Sequence, residues 1–374
     1  MHRVAVVCAI MTEVREVAIV GAGLLGLAAA RSLVTRGRDV VVLEQAHVGH
    51  DGSGSKGSCR IFRLGYVDPA YVAAARRAGE LWRDLEAASG AAILLPTPQL
   101  TFGPGMRSVQ DAMRAAGAPC ELLPAANVAS RFPAIRAGGP ALLEPDSAVI
   151  AAAPALAALA DGAGEIRTGV RVASITDDDR QVTLRTSAGL VTARTVIVTA
   201  GPWSGGLLAT AGVSVPTRPT LEQVAYVKPA AEPLSAPIFI SHAEQAPYGL
   251  PVPYSPLYKI GIHPSGPATG PDAQQQSDDL ALLARLSEVA ARYLPEHEPE
   301  PVSGERCIYD NTPDEDFIID RIGNVVIGCG TSGHGFKFGP LLGEWLAALA
   351  SDTGDGPDEH LRGRFAARRF RPPH

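Results

Sequence analysis

The start of the chain combines a strand, a glycine-rich turn, a helix and a second strand, in that order. Val14–Val20 is a short apolar run, and the glycine-rich sequence GAGLLG follows it at residues 21–26. Apolar residues then recur at helical spacing as far as about Arg36. Asp39–Leu43 predicts the next strand, which ends in Glu44. This arrangement is typical of dinucleotide-binding units, so it predicts a Rossmann-type α/β layer.

Each glycine of this turn has a separate task in such a unit. Gly21 permits the tight turn after the strand, and Gly23 lets the backbone approach a pyrophosphate closely. Gly26 lets the helix pack closely against the strand, and Glu44 is placed to accept hydrogen bonds from ribose hydroxyls. The unit predicts dinucleotide binding, but by itself it does not distinguish NAD from FAD.

A second glycine-rich turn favours FAD. The apolar run Thr195–Ala200 predicts a strand that stops at Gly201, directly before Pro202 and Trp203. FAD-binding Rossmann domains have such a strand where the sheet returns to the cofactor, and an ordinary buried core strand is the alternative. We therefore expect Gly201 to contact FAD.

The last part of the chain contains a third glycine-rich turn. Cys307 is followed by Ile308 and Tyr309, an acidic turn, and short strands predicted at 318–320 and 324–328. The sequence GTSGHGFKFGP then occupies residues 330–340 and leads into an amphipathic helix. A turn of this kind at a helix N-terminus directs backbone N–H groups at an electron-rich ligand.

Two parts of this stretch, Cys307-Ile308-Tyr309 and the sequence SGHGFK at residues 332–337, closely resemble the monomeric sarcosine oxidase and N-methyltryptophan oxidase family. The resemblance covers nearly the whole chain and is most specific near its two ends. It implies an FAD-dependent oxidase of secondary amines, typically N-methyl amino acids or cyclic imino acids. In that family a hydride equivalent passes to flavin N5, an imine forms, and dioxygen leaves as hydrogen peroxide. The resemblance also implies that FAD is attached covalently through Cys307.

A serine- and glycine-rich segment, Asp51–Tyr66, carries two arginines three residues apart, and its composition argues against a helix. It resembles the family's segment Gly-Ser-x-x-Gly-x-x-Arg-x-x-Arg, which lines the flavin. The resemblance places Ser53 and Arg60 at the cofactor and Arg63 at the substrate carboxylate. Lys56 stands where family members commonly have histidine. A flexible loop with solvated arginines is the alternative.

A lysine in the middle of the chain is a candidate for the reaction with oxygen. In the strand predicted from Tyr258, Lys259, Gly261 and His263 share one face. A lysine that faces inward is costly unless its charge has a partner or a function. The resemblance implies that Lys259 lies near flavin N5 and activates dioxygen. The alternative is a lysine at a sheet edge that faces water.

The resemblance assigns the remaining site residues to substrate or cofactor. Arg63 and Lys337 would clamp the substrate carboxylate with charge-assisted hydrogen bonds. Tyr248, His263 and Tyr309 would surround the substrate. The third turn would hold negative charge on the reduced flavin at N1 and O2, through Gly333, His334, Gly335, Phe336 and Lys337. No dedicated general base is evident, so we expect the amine to react as the free base.

Composition excludes several other classes of protein. The net charge of -6 over 374 residues argues against nucleic-acid partners. No apolar run reaches the roughly 18 residues that span a bilayer, and the first residues lack the features of a signal peptide. Met11 is an alternative start to Met1. Five cysteines without metal-ligand or Cys-x-x-Cys spacing indicate free thiols in a reducing cytoplasm, and no metal is expected.

The predicted fold class is α/β, with a Rossmann-type FAD-binding domain interleaved with an α+β substrate domain on a mixed, largely antiparallel sheet. We expect residues 11–90, 151–215 and 305–374 in the FAD-binding domain, and residues 91–150 and 216–304 in the substrate domain. By analogy we expect a monomer. Three other functions stay open: a flavin dehydrogenase that uses an electron carrier, an oxidase of a cyclic imine or imino acid in a biosynthetic pathway, and a non-catalytic nucleotide-binding protein.

Overall fold

The structure, a computed structural model, describes residues 14–231, 236–243, 245–264, 266–273, 277–353 and 356–370. The start of the chain, which contains Met1, Cys8 and Met11, lies outside the described residues.

The described chain alternates helices with strands, and short 3₁₀ turns precede α6, precede α8 and follow α9. The α-helices in chain order are α1 (Leu24–Thr35), α2 (Pro69–Ser89), α3 (Met106–Ala115), α4 (Ala125–Arg131), α5 (Ala152–Asp161), α6 (Ser204–Ala209), α7 (Leu280–Tyr293), α8 (Gly339–Ser351) and α9 (Glu359–Phe365). The strands are β1 (Val14–Val20), β2 (Val40–Leu43), β3 (Cys59–Phe62), β4 (Leu94–Pro96), β5 (Gln99–Phe102), β6 (Glu121–Leu123), β7 (Ala141–Glu144), β8 (Ala148–Ala151), β9 (Glu165–Arg167), β10 (Val172–Asp177), β11 (Val182–Thr186), β12 (Gly189–Val198), β13 (Arg218–Val227), β14 (Ile238–Ser241), β15 (Pro247–Pro251), β16 (Tyr258–Ile262), β17 (Ser303–Asn311), β18 (Ile318–Ile322) and β19 (Val325–Cys329).

The first sheet is built around β1, the strand that precedes the first glycine-rich turn. Its strand order is β10-β11-β12-β1-β2-β9, and β19 also pairs with β12 and carries β18. The strands β9, β2, β1, β12 and β19 are parallel neighbours, as a Rossmann-type layer requires. The strand predicted at 195–200 is the last part of a longer strand, β12. The first residues of β12 pair with β11, and its later residues pair with β1 and β19.

The second sheet has the order β17-β13-β16-β15-β14-β5-β7-β6. The β14–β5 pair is parallel and its other pairs are antiparallel, so the predicted mixed, largely antiparallel sheet is confirmed. The expected domain division at residue 305 cuts through β17, which pairs continuously with β13 from Asn311 back to Ser303. Cys307 and Tyr309 therefore lie in the second sheet, although the sequence placed them with the first. A small third sheet, β3-β8-β4, joins segments from both sides of the division expected near residue 90.

Helix α8 is buried on most of its surface, and this differs from the amphipathic helix that the sequence predicted. Buried residues follow one another from Leu341 to Gly343 and again from Trp345 to Ala348. The difference arises because α8 packs against α1, α2 and the first sheet together, so it has no broad face toward water. None of the helices in the described ranges is both long and apolar enough to cross a membrane.

Candidate active site

A cavity of about 1240 Å³ runs through the described part of the chain, and both large sheets contribute residues to its wall. It brings together every residue that the sequence analysis assigned to cofactor or substrate, apart from Gly26. Gly26 lies inside α1, where a Cβ atom would overlap the carbonyl oxygen of Gly21. Its task is therefore the close packing of helix against strand, as the motif predicts.

One end of the cavity is formed by the first glycine-rich turn. Gly21 has φ +99°, and a Cβ atom there would lie 2.6 Å from the Thr199 carbonyl oxygen. The Glu44 carboxylate accepts hydrogen bonds from the backbone N–H of Ala22 at 2.8 Å and Ala46 at 2.9 Å. These bonds hold Glu44 at the end of β2, on the wall of the cavity.

Ser55, which was not predicted as a site residue, binds the N-terminus of α1 through its hydroxyl. The Ser55 hydroxyl accepts a hydrogen bond from the Leu24 N–H at 3.0 Å, and the Ser53 hydroxyl accepts one from the Ser55 N–H at 3.1 Å. Ser53 therefore supports Ser55, and both line the cavity beside Gly23. The Gly/Ser-rich composition of this segment was the available signal, but it does not single out one serine. Gly201, with φ +51°, also lines the cavity, shortly after the end of β12.

One face of the second sheet forms the opposite wall. Opposed residues in antiparallel strands point to the same face, and residues two apart along a strand share that face. On β17 these residues are Glu305, Cys307 and Tyr309, and they oppose Val224, Glu222 and Thr220 of β13. On β16 and β15 the same face carries Lys259, Gly261, Tyr248 and Leu250. Side chains alternate between the two faces of a strand, and the register of β17, β13, β16 and β15 places these residues on the same face as Lys259.

Two tyrosines of this face, Tyr248 and Tyr309, are hydrogen-bonded to each other through their hydroxyls. Gly261 makes room for them, because a Cβ atom there would lie 2.5 Å from the Tyr248 hydroxyl. The His263 ring lies just beyond the end of β16, with its centroid 5.5 Å from that of Tyr309. Burial lowers the pKa of His263, so its imidazole is neutral near pH 7. These three side chains therefore offer an enclosed, uncharged wall.

Lys259 is buried, with 6% of its surface exposed. Its Nζ atom lies 3.5 Å from the Cys59 carbonyl oxygen and 5.9 Å from the centroid of the Tyr226 ring. Glu305 also lines the cavity here, and its carboxylate accepts a hydrogen bond from the Tyr226 hydroxyl. The sequence analysis missed Glu305, although its place two residues before Cys307 in a strand was a usable signal.

Cys307 faces the cavity from the middle of β17. Burial raises the pKa of its thiol, and the positive charges of Lys259 and Arg60 act in the opposite direction. Arg60 is fixed by hydrogen bonds to the backbone carbonyls of Cys59, Gly54 and Lys56. Burial outweighs the two cations, so the protonated thiol is favoured, and the cations limit the rise of its pKa.

Two cations lie together at the other end of the site. The Lys337 Nζ donates to the His334 carbonyl oxygen at 2.9 Å, and Arg63 donates to the Gly65 carbonyl oxygen. The Tyr66 ring lies beside both, 4.5 Å from the Arg63 guanidinium carbon and 5.6 Å from Nζ of Lys337. Burial and the charge of Arg63 lower the pKa of Lys337 well below its ordinary value. Across the described ranges, neither cation has a carboxylate partner within ion-pair distance.

The His334 side chain differs from its expected place among groups that hold charge on the cofactor. Its Nε2 bonds to the Glu315 carbonyl oxygen and its Nδ1 to the Tyr66 hydroxyl. Burial lowers the pKa of His334 well below its ordinary value, and the charge of Lys337 acts in the same direction. The ring is therefore neutral, donates to Glu315 and accepts from Tyr66. Its backbone, with Gly333, Gly335 and Phe336, lines the cavity.

The cavity fits an extended dinucleotide. One end has a glycine turn, a helix N-terminus and an acidic residue at the end of β2, which together suit an adenosine ribose and a pyrophosphate. The other end reaches Cys307 and Lys259 on the second sheet. Within the described ranges, no group of three His, Cys, Asp or Glu side chains could hold a metal ion.

Comparison with known proteins identifies the family. Residues 16–349 match the family model described as FAD dependent oxidoreductase. The chain belongs to the FAD-dependent oxidoreductase family. It is 31% identical to peroxisomal sarcosine oxidase of Homo sapiens, over 89% of this chain and 91% of that protein. It is 28% identical to N-methyl-L-tryptophan oxidase of Yersinia pestis (strain Pestoides F), over 95% of this chain and 99% of that protein.

A solved structure is similar over the whole fold. The open form of NikD, described as an unusual amino acid oxidase essential for nikkomycin biosynthesis, superposes with a TM-score of 0.84. It is 25% identical and covers 95% of this chain and 98% of that chain. The family and fold predicted from the sequence are therefore confirmed, and FAD is the cofactor of this flavoprotein oxidoreductase.

Asp310, next to Tyr309 on β17, is a buried acid of this family member that the sequence analysis did not single out. Its Oδ2 accepts a hydrogen bond from the Gly330 N–H at 2.6 Å. Its Oδ1 is buried and has no hydrogen-bond partner among the described residues. Burial raises the pKa of Asp310 to about 7, and the bond from Gly330 offsets only part of that effect. The fold therefore favours the protonated acid.

We predict that Asp310→Asn makes the fold less sensitive to pH. A carboxyl whose pKa is raised in the folded state stabilises the fold below its unfolded pKa, about 4, and that contribution is lost as pH rises to about 7. Relative to the variant, wild-type protein should lose about 1 kcal/mol of unfolding free energy per pH unit over this range. Urea unfolding at several pH values measures the difference. Asp161→Asn, an exposed change at the end of α5, is the control, and parallel curves for wild type and Asp310→Asn would contradict the prediction.

Proposed function

We propose that this protein is an FAD-dependent oxidase of secondary amines that carry a carboxylate, such as N-methyl amino acids or cyclic imino acids. The observation that carries the proposal is the pair of cations, Arg63 and Lys337, in the cavity without an acidic partner among the described residues. The names of the similar enzymes, sarcosine oxidase and N-methyl-L-tryptophan oxidase, support the same substrate class.

A substrate carboxylate would supply the negative charge that the two cations, Arg63 and Lys337, need. Two like charges that are largely buried raise the free energy of the empty site, and an anion between them relieves both the repulsion and the lost hydration. Charge-assisted hydrogen bonds from Arg63 and Lys337 would then fix the orientation of the substrate. Trp82 supports this geometry, because its indole N–H donates to the Lys337 carbonyl oxygen at 2.8 Å.

The same positive charge favours a neutral amine. An ammonium group near Arg63 and Lys337 would be repelled, so binding lowers the pKa of the substrate nitrogen. His263 is neutral and Tyr248 and Tyr309 have raised pKa values because they are buried, so none of them adds a negative charge that would stabilise an ammonium. The substrate would therefore react as the free base, and these side chains would exclude water and shape the pocket.

The bound FAD supplies the redox chemistry, accepting two electrons from the carbon–hydrogen bond beside nitrogen and passing them to dioxygen, which leaves as hydrogen peroxide. Lys259 would hold a positive charge where dioxygen is reduced, in a site from which water is largely excluded. Cys307 would anchor the cofactor covalently as a thioether. Free thiols at Cys59, Cys120 and Cys329 support a reducing, cytoplasmic location, and we propose a monomer.

The first test is a screen for peroxide release from sarcosine, other N-methyl amino acids, proline and pipecolate. We expect turnover of at least one of them, and far slower turnover of the matching amine without its carboxylate, because that amine cannot use the two cations. Peroxide release with equal efficiency from amines that lack a carboxylate would contradict the substrate class. Fast reduction of an artificial dye without any peroxide would identify a dehydrogenase instead.

A substitution of Arg63 tests the carboxylate contact directly. Removing one charge-assisted interaction worth roughly 1.5–3 kcal/mol should weaken a carboxylate-bearing competitive inhibitor by roughly 10- to 100-fold in Arg63→Ala. The neutral amide of the same inhibitor is the matched control and should lose little affinity. If the variant binds both compounds as wild type does, Arg63 does not contact the carboxylate.

Covalent attachment is tested through Cys307. We expect wild-type protein to keep its yellow colour after acid precipitation, whereas Cys307→Ser should release its flavin into the supernatant because no thioether can form. Cys120→Ser is the control, since Cys120 lies outside the cavity wall. Release of flavin from wild-type protein would overturn the covalent attachment and leave the proposed reaction untouched.

Lys259 should matter for only one half of the catalytic cycle. Reduction of dioxygen begins with an anion next to the cofactor, which a buried cation stabilises far more than water does. In Lys259→Met we expect reoxidation by oxygen to slow by orders of magnitude, while anaerobic reduction by substrate changes modestly. Stopped-flow absorbance measures both steps. Lys228→Met, an exposed lysine paired with Glu298, is the control, and equal slowing of the two steps would contradict the assigned role.

A further inference from the structure

A half-buried carboxylate, Glu305, lies near three cations next to the proposed oxygen site. Glu305 shares its face of β17 with Cys307 and lines the cavity. One of its oxygens accepts a hydrogen bond from Tyr226, the residue that opposes Lys259 across β13 and β16. Its other oxygen lies close to Gly57: a Cβ atom added to Gly57 would be 2.9 Å from that oxygen. The carboxylate is therefore enclosed between the second sheet and the glycine-rich segment that carries Arg60.

Electrostatics indicate that this carboxylate is ionised. Burial alone would raise the pKa of Glu305, but the charge of Lys259, the hydrogen bond from Tyr226 and the charges of Arg60 and Lys56 together bring it below its ordinary value. Lys259 is the cation that acts on it most strongly. No ion pair within 4 Å joins Lys259 to an acid anywhere in the described ranges, so Glu305 compensates the lysine charge at a longer distance.

We propose that Glu305 is the counter-ion of Lys259 and sets the strength of the positive field at the flavin ring. Glu305 acts through its negative charge on Lys259, as a positioning residue, and it takes no part in the reaction itself. By reducing that field it slows the reaction of reduced flavin with oxygen and lowers the affinity of the oxidised ring for anions. Both parts rest on the placement of the flavin ring beside Lys259 in the proposed function, but only the oxygen part requires turnover as an oxidase.

A purely structural role for Glu305 makes different predictions. If the carboxylate served only to hold the Tyr226 ring, removal of the Tyr226 hydroxyl would have the same effect as loss of the carboxylate. If it served only to fill space beside Gly57, an amide of equal size would replace it without consequence. Glu305→Gln keeps the size and removes the charge, and Tyr226→Phe removes the hydrogen bond and keeps the charge.

Sulfite is a suitable probe because it adds to the N5 position of an oxidised flavin and places negative charge on the ring. We expect Glu305→Gln holoenzyme to bind sulfite on the order of tenfold more tightly than wild type, because a unit charge acting over several ångströms has this effect at protein dielectric. The loss of flavin absorbance during a sulfite titration measures the dissociation constant. Tyr226→Phe should stay within about twofold of wild type.

The pairing with Lys259 is tested in the Lys259→Met background. Loss of its strongest cation raises the pKa of this half-buried carboxylate and favours its protonation, so Glu305→Gln should then change sulfite affinity much less than it does in wild type. An effect of equal size in both backgrounds would overturn the pairing. Unchanged sulfite affinity in Glu305→Gln, or an equal change in Tyr226→Phe, would overturn the role of the charge altogether.

The oxygen part is measured separately. In Glu305→Gln the second-order rate constant for reoxidation by oxygen should rise on the order of tenfold, while anaerobic reduction by substrate should change much less. If reduced wild-type protein does not react with oxygen at all, the oxidase assignment fails, yet the sulfite titrations still decide whether Glu305 compensates Lys259. If oxygen reacts and the variant does not accelerate it, the field proposal fails and the oxidase assignment stands.

Discussion

Burial of positive charge without an acidic partner among the described residues is the constraint on which the rest of the site depends. Lys337 is 6% exposed and lies beside Arg63, so both charges lose hydration and repel each other. The surroundings limit this cost with carbonyl dipoles and aromatic faces, chiefly the His334 carbonyl oxygen and the Tyr66 ring. A pocket that tolerates such a pair is prepared for an anion, because the anion removes the largest unfavourable interaction in it.

Two residues that do not line the cavity, Trp82 and Glu144, help to hold the segments that carry the two cations. The Trp82 indole N–H on α2 donates a hydrogen bond to the Lys337 carbonyl oxygen. The buried Glu144 carboxylate on β7 accepts a hydrogen bond from the N–H of Gly65, two residues after Arg63, at 2.8 Å. Glu144 is itself held by Gln99 and Thr101 from the second sheet. The end of the site that holds the two cations is therefore positioned by hydrogen bonds between side chains and the backbone, which restrict motion more than contacts between long flexible side chains would.

The sequence predicted those parts of the site that depend on local geometry. The glycine-rich turn, Glu44 and the inward face of Lys259 follow from short patterns, and Gly21, Gly23, Glu44 and Lys259 line the cavity. Strand pairing was not predictable in the same way. The membership of β17 in the second sheet depends on pairing between Glu305 and Val224, which are far apart in the chain, and only that pairing shows that Glu305 faces the cavity. The neutral state of His334 likewise depends on burial, which sequence spacing does not reveal.

The two ends of the reaction site differ in how their charge is balanced, and the fold explains why. Arg63 and Lys337 come from segments that follow β3 and precede α8, whereas Lys259 and Glu305 come from adjacent parts of one sheet face. Lys259 on β16 and Glu305 on β17 are separated by β13, and the sheet holds this acid and base at a fixed spacing on one face, so the charge can be compensated permanently. A pocket assembled from separate segments can instead leave its charge uncompensated until a ligand arrives. Under the proposed function, one cavity would combine an anion site for the substrate with a moderated positive field for the reaction with oxygen, because different structural elements build its two ends.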